Sequence, residues 1–182
     1  MDKKLLILDL DETLVYATKR RLQVEHAAKV AEYFIYERPH LHPFLDYCFQ
    51  HFKVAIWTAS TRKYADLVVG HIFASRDEEL EFLWARDRCT HKVNPNSWTY
   101  FMLKDLKKVK RRGYQLETIL TVDDTPEKWS KQYGNFVRVE PFEGDLSDDE
   151  LLQLIPFLTY LQTFDNVRVE KRGWRKRSDW RG

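Results

Sequence analysis

Several things are scarce in this chain, and each shortage narrows what it can be. Cysteine occurs only at Cys48 and Cys89. With no CxxC and no histidine at metal-ligand spacing, the sequence offers neither a disulfide framework nor a structural zinc site. No apolar run approaches the ~20 residues of a membrane span. Lys3 and Lys4 lead into strand-like sequence rather than a signal-peptide core. Net charge is only +2 over 182 residues, too little for a global field that draws in nucleic acid or membrane. Repeats and low-complexity blocks are also missing. The expectation is a monomeric, soluble protein of a reducing compartment, cytoplasmic or, in a nucleated cell, nuclear, with no membrane partner.

What is present is a globular composition, 43% hydrophobic and 32% charged, long enough for one domain with a real core. The charge is uneven. Residues 168–182 hold seven Lys and Arg against two acids, or +5, which leaves −3 for the rest. We expect a folded domain over residues 1–165 and a loosely held basic tail over 166–182.

Three short, β-rich apolar runs stand out at 5–8, 54–57 and 119–122, with a fourth at 136–139. Between them the apolar spacing predicts helices over 40–52 and 61–73, the latter with Tyr64, Leu67, Val68, His71 and Ile72 on one face. Thr125 and Pro126 read as a helix start. Ser147-Asp148-Asp149-Glu150 reads as a capping box into a helix over 151–161, with Pro156 as a kink or break. Residues 16–37 suggest either a hairpin with arms at 23–25 and 33–36 or a helical turn over 25–32. Phe82-Leu83-Trp84 reads as a strand, and Asn94-Pro95-Asn96-Ser97 as a turn.

Strands alternating with helices predict an α/β fold with a central parallel sheet flanked by helices. Ligands of such sheets bind beyond the carboxyl ends of the strands. The residues there are Asp9 and Asp11 after the first run, Thr58 and Ser60 after the second, and Asp123 and Asp124 after the third. If the three runs are adjacent, four carboxylates and two hydroxyls converge. An all-oxygen donor set without His or Cys suits Mg²⁺, which usually works on phosphate. One Asp can attack phosphorus to form an aspartyl-phosphate, while a second protonates the leaving alkoxide and then activates water.

The segment Asp9-Leu10-Asp11-Glu12-Thr13-Leu14-Val15 resembles the first motif of the haloacid dehalogenase superfamily of phosphohydrolases. Glu12 in its fourth position resembles the branch of RNA polymerase II C-terminal-domain phosphatases, the NLI-interacting-factor-like proteins. So do Arg38-Pro39-His40, Trp57-Thr58-Ala59-Ser60, Lys63-Tyr64-Ala65-Asp66, Arg86, Lys104-Asp105-Leu106 and Val122-Asp123-Asp124-Thr125-Pro126. That resemblance implies a Rossmann-like core with a small hairpin flap, a small insertion and no large cap. It implies Asp9 as nucleophile and Mg²⁺ ligand, and Asp11 as general acid/base that lends a carbonyl to the metal. Thr13, Thr58, Ala59, Lys104 and Arg86 would contact or orient the phosphate. Of Asp123 and Asp124, one would bind Mg²⁺, with Asp124 favoured, and the other would anchor Lys104. The substrate implied is a phosphorylated protein or peptide, on Ser or Thr. Two alternatives stand beside it. One is a nucleic-acid end phosphatase using the basic tail with Trp174 and Trp180; the other is a catalytically silent phosphate-binding or docking module.

Overall fold

A computed structural model describes residues 2–73, 76–93 and 98–169. Its centre is a five-stranded, wholly parallel sheet. The strands are β1 (Leu5–Leu8), β5 (Lys53–Trp57), β6 (Leu83–Trp84), β9 (Ile119–Asp123) and β10 (Phe136–Arg138), in the order β10-β9-β1-β5-β6. A three-stranded antiparallel flap is built from β2 (Val15–Thr18), β3 (Ala28–Val30) and β4 (Tyr33–Glu37), with β4 central. A two-stranded insertion pairs β7 (Thr90–Val93) with β8 (Tyr100–Leu103). The helices are α1 (Leu41–His51), α2 (Arg62–Ile72), α3 (Lys107–Lys110) and α4 (Glu150–Gln162).

The period-2 pleat of the central strands sorts their side chains onto two faces. Leu6, Leu8, Val54, Ile56, Leu120 and Val122 pack on the face covered by α1, α2 and α4. Leu5, Ile7, Ala55, Trp57 and Ile119 pack on the other, against Leu106, Val109 and Trp129. Being buried on both faces, these strands read as continuous apolar runs. On the second face Trp57 sits edge-on to Trp84, with ring centroids 4.8 Å apart, and edge-on to Trp129 at 5.8 Å.

Several expectations need correction. The buried face of α2 is Ala65, Val68, Val69 and Ile72, whereas Leu67 is 51% exposed. The flap has no strand at 23–25 and no helical turn over 25–32; its arms are β2 and β3, both paired to β4. Thr125 caps no helix, and only a 3₁₀ turn, Pro126–Trp129, follows it. No capping box forms at Ser147, because Asp148 accepts the Glu150 N–H at 3.1 Å and is otherwise drawn to Arg38. Helix α4 runs through Pro156 without a break, since its apolar face is locked into the core. The chain also stays packed past 165: Val167 is fully buried in a 3₁₀ turn, Val167–Val169. The expected turn at 94–97 and the basic tail over 170–182 lie outside the described residues. Among the described residues, no helix is long and apolar enough to cross a membrane.

Candidate active site

Parallel register puts the ends of β1, β5 and β9 side by side, with Leu8 opposite both Ile56 and Val122. Asp9 continues β1 by donating its N–H to the Val122 carbonyl at 3.0 Å, so its side chain emerges at the mid-sheet tip. The chain then turns sharply: Glu12 takes a left-handed φ of 56° and its N–H returns to the Val15 carbonyl at 2.8 Å. This turn swings Asp11 to the rim of a groove of about 450 Å³, open to solvent. Asp9, Asp11, Glu12, Thr58, Ala59, Ser60, Tyr64, Arg86 and Lys128 line it, with Ala17 and Tyr33 from the flap as one wall.

Beneath Asp9 lies a network of fixed charges. Lys104, wholly buried, places Nζ 2.5 Å from Asp123 Oδ2 and 3.0 Å from Asp9 Oδ1, the latter outside hydrogen-bond alignment. Lys128 places Nζ 2.7 Å from Asp9 Oδ2, 3.1 Å from Asp123 Oδ1 and 3.6 Å from Asp124 Oδ1. Trp129 Nε1 donates to Asp123 Oδ2 at 2.9 Å. Burial alone would lower the Lys128 pKa, but the charges of Asp9, Asp123 and Asp124 outweigh it and raise it. Three carboxylates thus meet two ammonium groups, and pairing of this kind is what makes buried charge tolerable.

Asp9, Asp123 and Asp124 bring one oxygen each to within 4.8 Å of one another. Asp9 Oδ1 and Asp124 Oδ1 are buried and accept no hydrogen bond. Hard oxygen donors with lone pairs to spare fit a divalent cation such as Mg²⁺. Lys128 shares the same carboxylates.

Asp11 stands apart from this trio. Tyr64 Oη donates to its Oδ1 at 2.5 Å and Ser60 Oγ to its Oδ2 at 2.7 Å. Burial raises the Asp11 pKa, the Tyr64 bond opposes it, and the nearby charge of Asp9 adds to the rise. Thr58 Oγ1 accepts the Ser60 N–H at 3.0 Å, which leaves its own O–H to donate into the groove. Arg86 Nε donates to the Ala59 carbonyl at 2.8 Å and holds its guanidinium at the rim.

The sequence-predicted residues therefore come together with one exception. Thr13 is fully buried, its hydroxyl finds no partner and it does not line the groove. Its carbonyl instead accepts from Arg38 Nη1 at 3.1 Å, while the buried Arg38 grips Asp148 through two bonds of 2.7 Å. Lys128 and Tyr64 were absent from the predicted set. The signal for Lys128 was its place four residues after Asp124, one helical turn on.

A parallel sheet whose middle strand delivers an aspartate onto paired lysines and acids defines the chain's class, the phosphatases of the haloacid dehalogenase type. The solved structure of Fcp1, an essential RNA polymerase II CTD phosphatase, shares the fold at a TM-score of 0.57, with 21% identity over 88% of this chain and 49% of that one. The sequence profile of the NLI interacting factor-like phosphatases matches residues 4–168, and the chain belongs to that family. It is 34% identical to the putative CTD phosphatase-like protein 355R of Invertebrate iridescent virus 3, over 84% of this chain and 93% of that protein. It is 32% identical to the human CTD small phosphatase-like protein, over 91% of this chain and 58% of that protein. Against CTD small phosphatase-like protein 2 of Dictyostelium discoideum the chain spans 29% of the relative's length.

Proposed function

We propose that the chain hydrolyses phosphoserine or phosphothreonine in proteins, with Mg²⁺, through a phosphoryl group carried on Asp9. The observation that carries this reading is the pairing of two unlike aspartates at one groove. Asp9 is compensated by two ammonium groups, and Asp11 is half-buried and held by two hydroxyls.

An Asp9 oxygen attacks phosphorus while the bond to the substrate's ester oxygen breaks and Asp11 gives that oxygen its proton. Asp11, now ionised, takes a proton from water. The water oxygen attacks the aspartyl-phosphate, and phosphate leaves with Asp9 restored. Thr58 and Arg86 donate to the phosphoryl oxygens, while Lys104 holds Asp9 and Asp123 in register. Asp9 and Asp124, with the Asp11 carbonyl, would hold Mg²⁺, which when bound offsets the phosphate's negative charge. Asp123 is the anchor for Lys104, and Arg38 keeps the Thr13 turn in place. The groove is open and, among the described residues, has no cap over it, so a phosphorylated side chain on a protein segment can reach Asp9; relatives carry CTD phosphatase names in keeping with this.

The purified chain with Mg²⁺ should release phosphate from p-nitrophenyl phosphate and from a phosphoserine peptide, and chelation should stop it. Asp9→Asn should lower turnover by on the order of 10³-fold or more. Turnover left intact by that substitution refutes the assignment of the nucleophile.

A further inference from the structure

Residues 86–112 contain nine Lys and Arg against two acids. Lys104 belongs to the buried site. Of the other eight, among the described residues, only Arg88 has a carboxylate within ion-pair distance, Asp87 at 3.7 Å. Elsewhere the surface behaves differently. Arg62 meets Asp66 at 2.8 Å, Arg76 meets Asp46 at 2.7 Å, and Lys131 meets Asp105 at 3.2 Å.

Three of these cations, Arg88, Lys108 and Arg112, gather along one edge of the fold. Strand β6 is the outermost strand of the central sheet, on the far side of β5 from β1. The Arg88 guanidinium lies 5.6 Å from the centre of the Trp84 ring. Arg112, from beyond α3, lies 5.0 Å from the Phe82 ring and 5.9 Å from the Trp84 ring. Lys108 donates to the Arg88 carbonyl at 2.6 Å. Two separate stretches, one through Arg88 and one from Lys108 to Arg112, therefore bring positive charge to β6. Arg86, two residues before Arg88, continues the line into the groove beside Asp9 and Asp11.

Like charges gathered with a single long ion pair among them repel one another, and a surface selected for solubility alone intersperses the signs. Guanidinium groups held against rings are pre-positioned, so less side-chain entropy is lost when a carboxylate binds. Phe82 and Trp84 are each only 7% exposed beneath these cations, so they offer no platform for stacking bases, on which single-stranded nucleic-acid binding relies. Carboxylates of an extended protein segment suit the arrangement better.

We infer that the edge formed by Arg88, Lys108 and Arg112, reached from the groove through Arg86, docks an acidic stretch of the substrate protein to one side of the phosphorylated residue. The inference rests on the phosphatase reading and names the substrate class for that same groove.

Two phosphoserine peptides that differ only in three flanking Glu or three flanking Gln test it. Wild-type kcat/KM should favour the Glu peptide about tenfold, and added salt should erode the advantage. Arg88→Gln/Arg112→Gln should remove the preference and leave p-nitrophenyl phosphate turnover unchanged. These two side chains also cover rings, so Lys108→Gln, at a side chain that bonds only the Arg88 carbonyl, provides a second variant with the same expected loss. Equal use of the two peptides by the wild type, or a preference that survives both variants, overturns the inference. Turnover of a 5′-phosphorylated oligonucleotide in preference to the Glu peptide overturns it in favour of nucleic acid. Fluorescence anisotropy of labelled Glu and Gln peptides on Asp9→Asn protein reads docking without chemistry. Selective binding there by a chain inert on every substrate would sustain the docking surface and sink only the phosphatase reading. Equal binding of the two peptides would overturn the docking surface.

Discussion

Removing one oxygen, by Tyr64→Phe, probes the acid/base role proposed for Asp11. The Tyr64 hydroxyl donates to Asp11 Oδ1 at 2.5 Å, while Ser60 serves the other oxygen at 2.7 Å. A hydrogen bond to a charged acceptor is worth about 1.5–3 kcal/mol, and about 1.4 kcal/mol is a factor of ten in rate. The Ser60 bond remains, so the expected loss in kcat/KM is at the low end, about tenfold. The direction of the pH effect follows from which form of Asp11 the bond favours. Tyr64 donates to the carboxylate and so lowers a pKa that burial has raised. Without it the proton is held more firmly. In the proposed mechanism Asp11 must be protonated to act on the leaving alkoxide, so the basic limb of the kcat/KM profile should move to higher pH. The assay is turnover of p-nitrophenyl phosphate across the pH range, with phosphate release as the readout. A uniform drop in rate with both limbs unmoved would show that Tyr64 only shapes the groove, and would refute this account of Asp11.

Two further outcomes follow from buried charge. Arg38→Met breaks a pair in which the arginine side chain is wholly buried and Asp148 is 17% exposed. Removing one partner of a buried pair costs about 3 kcal/mol, which for a chain of this length lowers Tm by roughly 6–12 °C; a thermal scan showing no shift would refute the role given to this clamp. Glu12 is half-buried, and burial, followed by the charges of Asp11 and Asp124, raises its carboxyl from 4.5 to about 7. The folded chain then keeps a proton that the unfolded chain has lost, so stability falls as pH rises from about 4.5 to about 7. After allowance for solvent screening the cost is about 1 kcal/mol. Glu12→Gln, compared with wild type by urea denaturation in chelator, should therefore be the more stable protein at pH 8 and show no advantage at pH 4.

The strand tips were legible in the sequence because each apolar run is buried on both faces and stops at a polar residue. A run such as 5–8 followed by Asp9 has few other solutions in a parallel sheet. Helix α1 was legible for a similar reason, with Leu41, Phe44, Leu45, Cys48 and Phe49 all inside. The flap was not, because its short strands are half-buried and their alternation is weak; Ala28-Lys29-Val30 carries almost no pattern of its own. The capping signal at Ser147 misled because both of its side chains are engaged elsewhere: Ser147 Oγ donates to Asp145 Oδ1 at 2.8 Å, and the Glu150 carboxylate accepts the Glu140 N–H at 2.9 Å. Lys128 was hidden for the opposite reason. A lone lysine in a polar segment reads as solvated, and only the pairing of β1 with β9, which sets their ends side by side, brings Asp9 beside it. Thr13 was drawn into the site by its motif, yet the left-handed turn at Glu12 sends its side chain inward.

The tryptophan ladder under the sheet has an optical consequence. Trp129 is wholly buried and its indole N–H is bonded to Asp123, within the same cluster that Asp9 shares. Any change of charge at Asp123 alters the field across that ring, and Trp57 stands between it and Trp84 as an energy-transfer neighbour. Emission from this unlabelled reporter should therefore shift when phosphate or a cation enters. The solvent-facing Trp98, 80% exposed, responds to an added quencher and so separates from it.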